Sequence, residues 1–209
     1  MVDLGILDVL QIFGRAGRPQ YEDMGVSYIC TSGEKLPHYI ESITSAHPIE
    51  STFLRGIVDA LNAEVALGSV TSLDDGISWL GFTYLFTRLC KAPRVYGLDA
   101  HDFEADPTLT QRRRQWITYA ANILTQHQMV EFDLAAGTLR PTNMGRIASR
   151  YYLSHKTVGI FHERLRNNLV EADALSLMSR AADFDQIPLR ESEEEELTSL
   201  LESVPCEVD

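Results

Sequence analysis

The 209-residue sequence predicts an α+β fold that is mostly α. Three observations carry this. Apolar residues recur at helical spacing through most of the chain. Strand-type residues are confined to two short stretches, 25–31 and 129–141. Hydrophobic residues make up 44% against 23% charged, enough for a packed core and too much for wholesale disorder. The length suits one medium domain or two small ones.

From Asp3 to Phe13 the residues Leu4, Ile6, Leu7, Val9, Leu10, Ile12 and Phe13 crowd nearly all round the axis, which predicts a short buried helix. Gly14, Gly17 and Pro19 end it. Gly25 to Thr31 (GVSYICT) predicts a buried strand. Glu34 to Ser45 predicts a helix with Pro37 near its start, a position the first turn tolerates. Past His47-Pro48, a helix over Glu50 to Leu67 places Phe53, Ile57, Leu61 and Val65 at four-residue spacing, and Gly68 stops it. Thr71 or Ser72 caps a helix over Leu73 to Cys90, whose Asp74 and Asp75 suit its positive end. Its aromatic residues Trp79, Phe82, Tyr84 and Phe86 read as core packing more readily than as base-stacking groups.

Residues 94–107 read as irregular, and a third helix spans Thr108 to Gln128 with Trp116, Ile117, Ala120, Ile123 and Leu124 inward. Met129 to Leu134, the Ala135-Ala136-Gly137 turn and Thr138 to Pro141 form a hairpin. Three helices followed by a hairpin is the pattern of a winged helix. Four more helices are expected over 142–152, 157–167, 171–183 and 191–204, with short connections that make them packing neighbours.

The net charge of −12 argues at first against a nucleic-acid binder. Its distribution changes that conclusion. Residues 181–209 hold ten acidic side chains and one arginine, which leaves 1–180 with a net of only −3. Residues 140–166 run the other way: Arg140, Arg146, Arg150, Lys156, Arg164 and Arg166 oppose Glu163 alone. Arg146 and Arg150 stand four apart on one predicted helix and share a face. Such a stripe tracks phosphates, or is a solvated face, or pairs with the acidic tail. Arg112-Arg113-Arg114 is a second basic run; it either enters a nucleic-acid groove or braces the protein. No apolar run is long enough to span a membrane, and no basic leader marks a signal peptide. Cys30, Cys90 and Cys206 are far apart, which suits a reducing compartment and makes neither a disulfide framework nor a zinc site. The histidines lack metal spacing, with His127 and His162 read as incidental, and no Ser-His-Asp or Cys-His set stands out.

The string most suggestive of chemistry is Gln11-Ile12-Phe13-Gly14-Arg15-Ala16-Gly17-Arg18-Pro19. Two arginines separated by small residues sit at the mouth of a buried helix. Guanidinium groups grip phosphate oxygens bidentately and stay charged, so such a pair suits the charge developing on a transferring phosphoryl group. The plainer alternative is a loop with two solvated arginines.

This string resembles motif VI of superfamily 2 nucleic-acid helicases, in the form used by the Ski-type group: a glutamine, two residues, then Gly-Arg-Ala-Gly-Arg. The strings HPIESTF, LNAEVALGSVTS, ISWLGFTYLFTRLCKAPRVYGL and MGRIASRYYLSHKTV extend the likeness over nearly the whole chain. They are similar to the first cassette of cointegrator-complex helicase subunits, and less so to the spliceosomal helicases of the group. The resemblance implies three modules: the end of the second RecA-like motor domain over 1–46, a winged helix over 47–140, and the start of a translocon-component-like helical bundle over 141–209. It implies that Arg15 and Arg18 face the ATP γ-phosphate across the motor cleft. Gln11 would couple nucleotide to nucleic acid, and Gly14 and Gly17 would let the loop approach. The implied parent is an ATP- and Mg-dependent 3′-to-5′ helicase of single-stranded RNA or DNA. It would work in the nucleus or cytoplasm with possible accessory complex subunits.

The sequence contains neither a GxxxxGK[ST] phosphate loop nor a DExH run. The chain is therefore expected to be a fragment of that enzyme, completing an ATP site it cannot form alone and hydrolysing negligible ATP by itself. The competing expectation is a non-catalytic interaction module built on the winged helix and acidic helices.

Overall fold

The computed structural model describes residues 6–17, 20, 21, 24–44, 49–185, 187 and 190–203. The chain divides into two compact units, 1–50 and 51–209.

In the first unit, α1 (Ile6–Phe13) and α2 (Leu36–Thr44) bury Val9 and Tyr39. The segment Gly25–Thr31, expected as a buried strand, takes no regular secondary structure, and Val26 and Tyr28 are exposed. A strand exists only through a ladder with a neighbour. No described residue of this unit supplies one, so β-propensity alone does not suffice.

The second unit is built on a winged helix. A 3₁₀ turn (Phe53–Gly56) leads into α3 (Ile57–Leu67), which ends on Gly68 at φ +81°. Next come α4 (Leu73–Gly81), α5 (Tyr84–Lys91), a 3₁₀ turn (Pro93–Tyr96), α6 (Ala100–Ala105) and α7 (Thr110–Gln126). The antiparallel hairpin pairs β1 (Val130–Asp133) with β2 (Thr138–Pro141), Glu131 opposite Arg140 and Phe132 opposite Leu139. The Leu139 N–H donates to the Thr71 carbonyl at 2.8 Å and the Leu73 N–H to Gly137 at 2.7 Å, so the approach to α4 joins the hairpin edge.

The chain continues through α8 (Asn143–Tyr151), α9 (His155–Arg164), α10 (Glu171–Ser179) and α11 (Glu194–Ser203). One apolar core spans the winged helix and the helices that follow. Leu61 and Val65 of α3, Ile77 and Leu80 of α4, Ile117 and Leu124 of α7, and Met129 and Leu139 of the hairpin share it with Ala148 of α8 and Val158 of α9. A smaller cluster joins Leu85, Leu89, Leu98 and Leu109.

Ser72 is the N-cap of α4, in a reciprocal box. Its hydroxyl accepts the Asp75 N–H at 3.1 Å, and Asp75 Oδ2 accepts the Ser72 N–H at 3.0 Å. The Thr71 hydroxyl and N–H donate to the same carboxylate, and together with Ser72 they hold the Asp75 carboxyl below its ordinary value.

The single helix expected over 73–90 is two helices. Thr83 starts α5 as its N-cap, its hydroxyl accepting the Phe86 N–H at 3.4 Å and donating to the Leu80 carbonyl at 2.7 Å. The cause of the break lies partly on another helix. A Cβ on Gly81 would stand 2.8 Å from Arg113 Nη1, and that nitrogen donates to the Ile77 carbonyl at 2.6 Å. A guanidinium from α7 thus serves the C-terminal end of α4, where the helix dipole is negative.

Candidate functional site

In the first unit, the turn after α1 is tied down by backbone bonds. Gly14 N–H donates to Leu10 at 2.9 Å, and Arg15 N–H to Ile12 at 3.0 Å. This leaves the Arg15 side chain exposed, with no hydrogen bond or ion pair among the described residues. Gln11, one turn earlier on α1, is also exposed. Arg18 lies outside the described residues. A Cβ on Gly14 or Gly17 would meet neighbours only at 3.5 Å, an ordinary contact. The position that needs glycine for the fold is Gly25, where a Cβ would stand 2.7 Å from the Ala16 carbonyl oxygen. The loop therefore packs Ala16 and Gly17 closely against the bare backbone of Gly25. Among the described residues no three His, Cys, Asp or Glu side chains converge to hold a metal. Among the described residues, the unpaired Arg15 guanidinium has the chemistry to meet a phosphate, and no ligand set for a Mg ion converges.

The second unit carries two groups of arginines that differ in availability. On α7, Arg113 is spent internally. Besides Ile77 it donates to the Thr108 carbonyl at 3.1 Å, and its guanidinium lies 4.9 Å from the centre of the Phe86 ring. Arg114 pairs with Asp74 of α4 at 2.9 Å, and Arg112 reaches Gln115 at 3.4 Å. Arg113 and Arg114 thus tie α7 to α4, and Arg112 stays on its own helix.

Arg146 and Arg150 on α8 are different. Asn143, Arg146, Ile147, Arg150 and Tyr151 are exposed, while Gly145 and Ala148 are buried. The exposed set follows the i, i+3, i+4, i+7, i+8 spacing of a single helix face. Neither arginine has a hydrogen bond or ion pair among the described residues. Two such cations on one face suit contact with successive phosphates.

The seat of α8 is close and specific. A Cβ on Gly145 would stand 2.1 Å from the Met129 carbonyl oxygen and 2.8 Å from Asn62 Oδ1. In its place, the buried Asn62 amide donates to the Gly145 carbonyl at 3.0 Å. Thr142, the N-cap, accepts the Gly145 N–H at 3.0 Å. The following helix is anchored by a charge contact. Asp59 of α3 accepts the His155 N–H at 2.7 Å and lies 3.0 Å from its Nδ1, at the positive end of α9. His127 stacks on His155 with ring centres 5.7 Å apart and lies 2.6 Å from its carbonyl through Nδ1. His127, incidental on sequence grounds, is thus a structural contact, invisible to a search for metal spacing because its partner is a backbone carbonyl.

Residues 50–126 match the Winged Helix-turn-helix domain family, and residues 141–209 match the Sec63 Brl domain family. The chain is 43% identical over 207 residues to Activating signal cointegrator 1 complex subunit 3 of Homo sapiens, covering 99% of this chain and 9% of that protein. It is 46% identical over 209 residues to RQC trigger complex helicase SLH1 of Saccharomyces cerevisiae, covering 99% and 11%. The cointegrator subunit of Dictyostelium discoideum is 43% identical over 202 residues, covering 97% and 9%. The chain spans about a tenth of the length of these relatives. Among the described residues no helix is long and apolar enough to cross a membrane. With this identity along its whole length, a mostly helical fold and a winged helix leading into a Sec63 Brl segment, the chain is homologous to the matching stretch of these helicase-complex subunits.

Proposed function

We propose that this chain is part of an ATP-dependent 3′-to-5′ nucleic-acid helicase cassette. In this reading, residues 1–46 are the end of the second RecA-like motor domain. Arg15 and Arg18 address the terminal phosphate of ATP, Gln11 couples nucleotide to nucleic acid, and Gly14 and Gly17 let the phosphate come close. The winged helix of 47–140 braces the motor, and the bundle that opens at 141 presents Arg146 and Arg150 to single-stranded RNA or DNA. Magnesium would be held by residues outside this chain, and accessory complex subunits would bind the parent protein.

The observation that carries the reading is the exposed Arg15 guanidinium, unpaired among the described residues, on a backbone-pinned turn within a chain related to helicase subunits over its full length. Stabilisation of the transferring phosphoryl charge by such an arginine is worth about 10³-fold or more in rate. The test is ATP turnover by the full-length parent protein. Arg15→Ala and Arg18→Ala should each leave the protein folded and nucleotide-bound while turnover falls, Arg18→Ala by about 10³-fold. Turnover unchanged in both variants would contradict the proposal.

A further inference from the structure

Two exposed aromatic side chains follow the α8 arginines in sequence. Tyr151 is 67% exposed and Tyr152 is 92% exposed. Tyr152 also has a left-handed backbone, φ 58° and ψ 35°, at the end of α8. That geometry lets the Tyr152 and Leu153 N–H groups both reach the Ala148 carbonyl, the latter at 3.0 Å. Glycine or asparagine meets this requirement with least steric cost, and a bulky side chain at positive φ is an outlier. Burial would ordinarily compensate. Here the ring is almost wholly in solvent, so the fold gains nothing from having tyrosine at this position. A backbone outlier with no packing benefit points to an outside partner.

The surroundings select the partner. Arg146 and Arg150 are about 6 Å apart along the helix axis and unopposed, so the neighbouring ligand is anionic. Asp59 and Asp183 line a cleft beside Tyr152, but both carboxylates accept N–H groups at the start of α9, where the helix dipole offsets their charge. A ligand that offers phosphates to guanidiniums and flat π-faces to phenol rings is a polynucleotide with unstacked bases. A duplex keeps its bases stacked on one another and leaves the rings without a surface to cover.

We infer that Tyr152, with Tyr151 beside it, is a base-stacking step that makes the α8 arginine face selective for single-stranded nucleic acid. This rests on the reading of Arg146 and Arg150 as phosphate contacts. Binding of the 209-residue chain to labelled oligothymidylate, to an abasic strand of equal charge and to a duplex tests it. Tyr151→Ala with Tyr152→Gly should weaken oligothymidylate binding about tenfold and leave abasic binding unchanged. Glycine relieves the strained backbone, so the thermal midpoint should not fall, and Tyr152→Phe should bind as the parent chain does. Oligothymidylate binding unchanged in the tyrosine variant but weakened by Arg146→Ala with Arg150→Ala would overturn the stacking step and leave the phosphate contacts standing. Binding unchanged in both variants would overturn both. Duplex bound as tightly as the single strand would also overturn the selectivity.

Discussion

The arginines of α7 and those of α8 sit on the same unit and differ in what opposes them. Arg112, Arg113 and Arg114 are consecutive, the densest positive run in the sequence, yet Arg113 is bonded to two backbone carbonyls and Arg114 to a carboxylate. Arg146 and Arg150 are separated by three uncharged residues, and neither has a partner among the described residues. The geometry of a helix explains the contrast. Consecutive positions point about 100° apart, so a run of three is spread over about 200° of the helix and does not present one face. Positions four apart share a face, and with Gly145 and Ala148 buried that face turns outward. Charge density along the sequence therefore indicates less about a binding surface than spacing does.

Substitutions can break this comparison from either side. The largest effect is expected from Gly145→Ala, which alters neither arginine group. Its Cβ collides with the Met129 carbonyl, a backbone atom that cannot rotate aside. A loss of about 3 kcal/mol is expected, as for other overpacked sites, measured by denaturant unfolding, with strand binding lost alongside. Arg113→Ala should follow at about 2 kcal/mol, the scale of charge-assisted bonds whose carbonyl partners are left behind. Arg113→Lys should recover little, because an ammonium does not reproduce the planar fork that spans Ile77 and Thr108. If Arg113→Ala is as stable as the parent chain, the claim that α7 uses its charge internally fails.

The smallest effect concerns acid. The Thr71 hydroxyl and N–H and the Ser72 N–H lower the Asp75 carboxyl from its ordinary 3.8. At Asp106, burial raises the value but is outweighed by bonds that include the Gln111 N–H. A carboxyl lowered by folding stabilises the native state above its unfolded value, and that contribution disappears as pH falls through the folded value. Asp75→Asn should thus unfold with a flatter pH dependence below about pH 4 than the parent chain. Parallel curves for the two proteins would remove the carboxylate from the account of α4.

Much of this unit was legible in the sequence because it is local. The Ser72 cap, the Gly68 stop, the 130–141 hairpin and the helical face of Arg146 and Arg150 each depend on residues a few positions apart. What escaped depends on distant partners. The break at Gly81–Thr83 accommodates a guanidinium from α7. The need for glycine at 145 arises from a carbonyl at the start of the hairpin. The 25–31 segment has strand-forming residues and no strand to pair with among the described residues of its unit. Tyr152 gave no signal at all in sequence, since its left-handed backbone follows from how α8 ends on Ala148. In the loop after α1 the motif singled out Arg15 but not Gly25, whose bare backbone holds that loop in place.

Salt dependence of single-strand binding by the 209-residue chain separates the two arginine groups. Arg146→Ala with Arg150→Ala should lower affinity and reduce the slope of log affinity against log salt by about 1.4, the share of two phosphate contacts on a single strand. Arg112→Ala with Arg114→Ala should leave the slope unchanged. A slope that drops for the α7 pair and stays constant for the α8 pair would contradict the account.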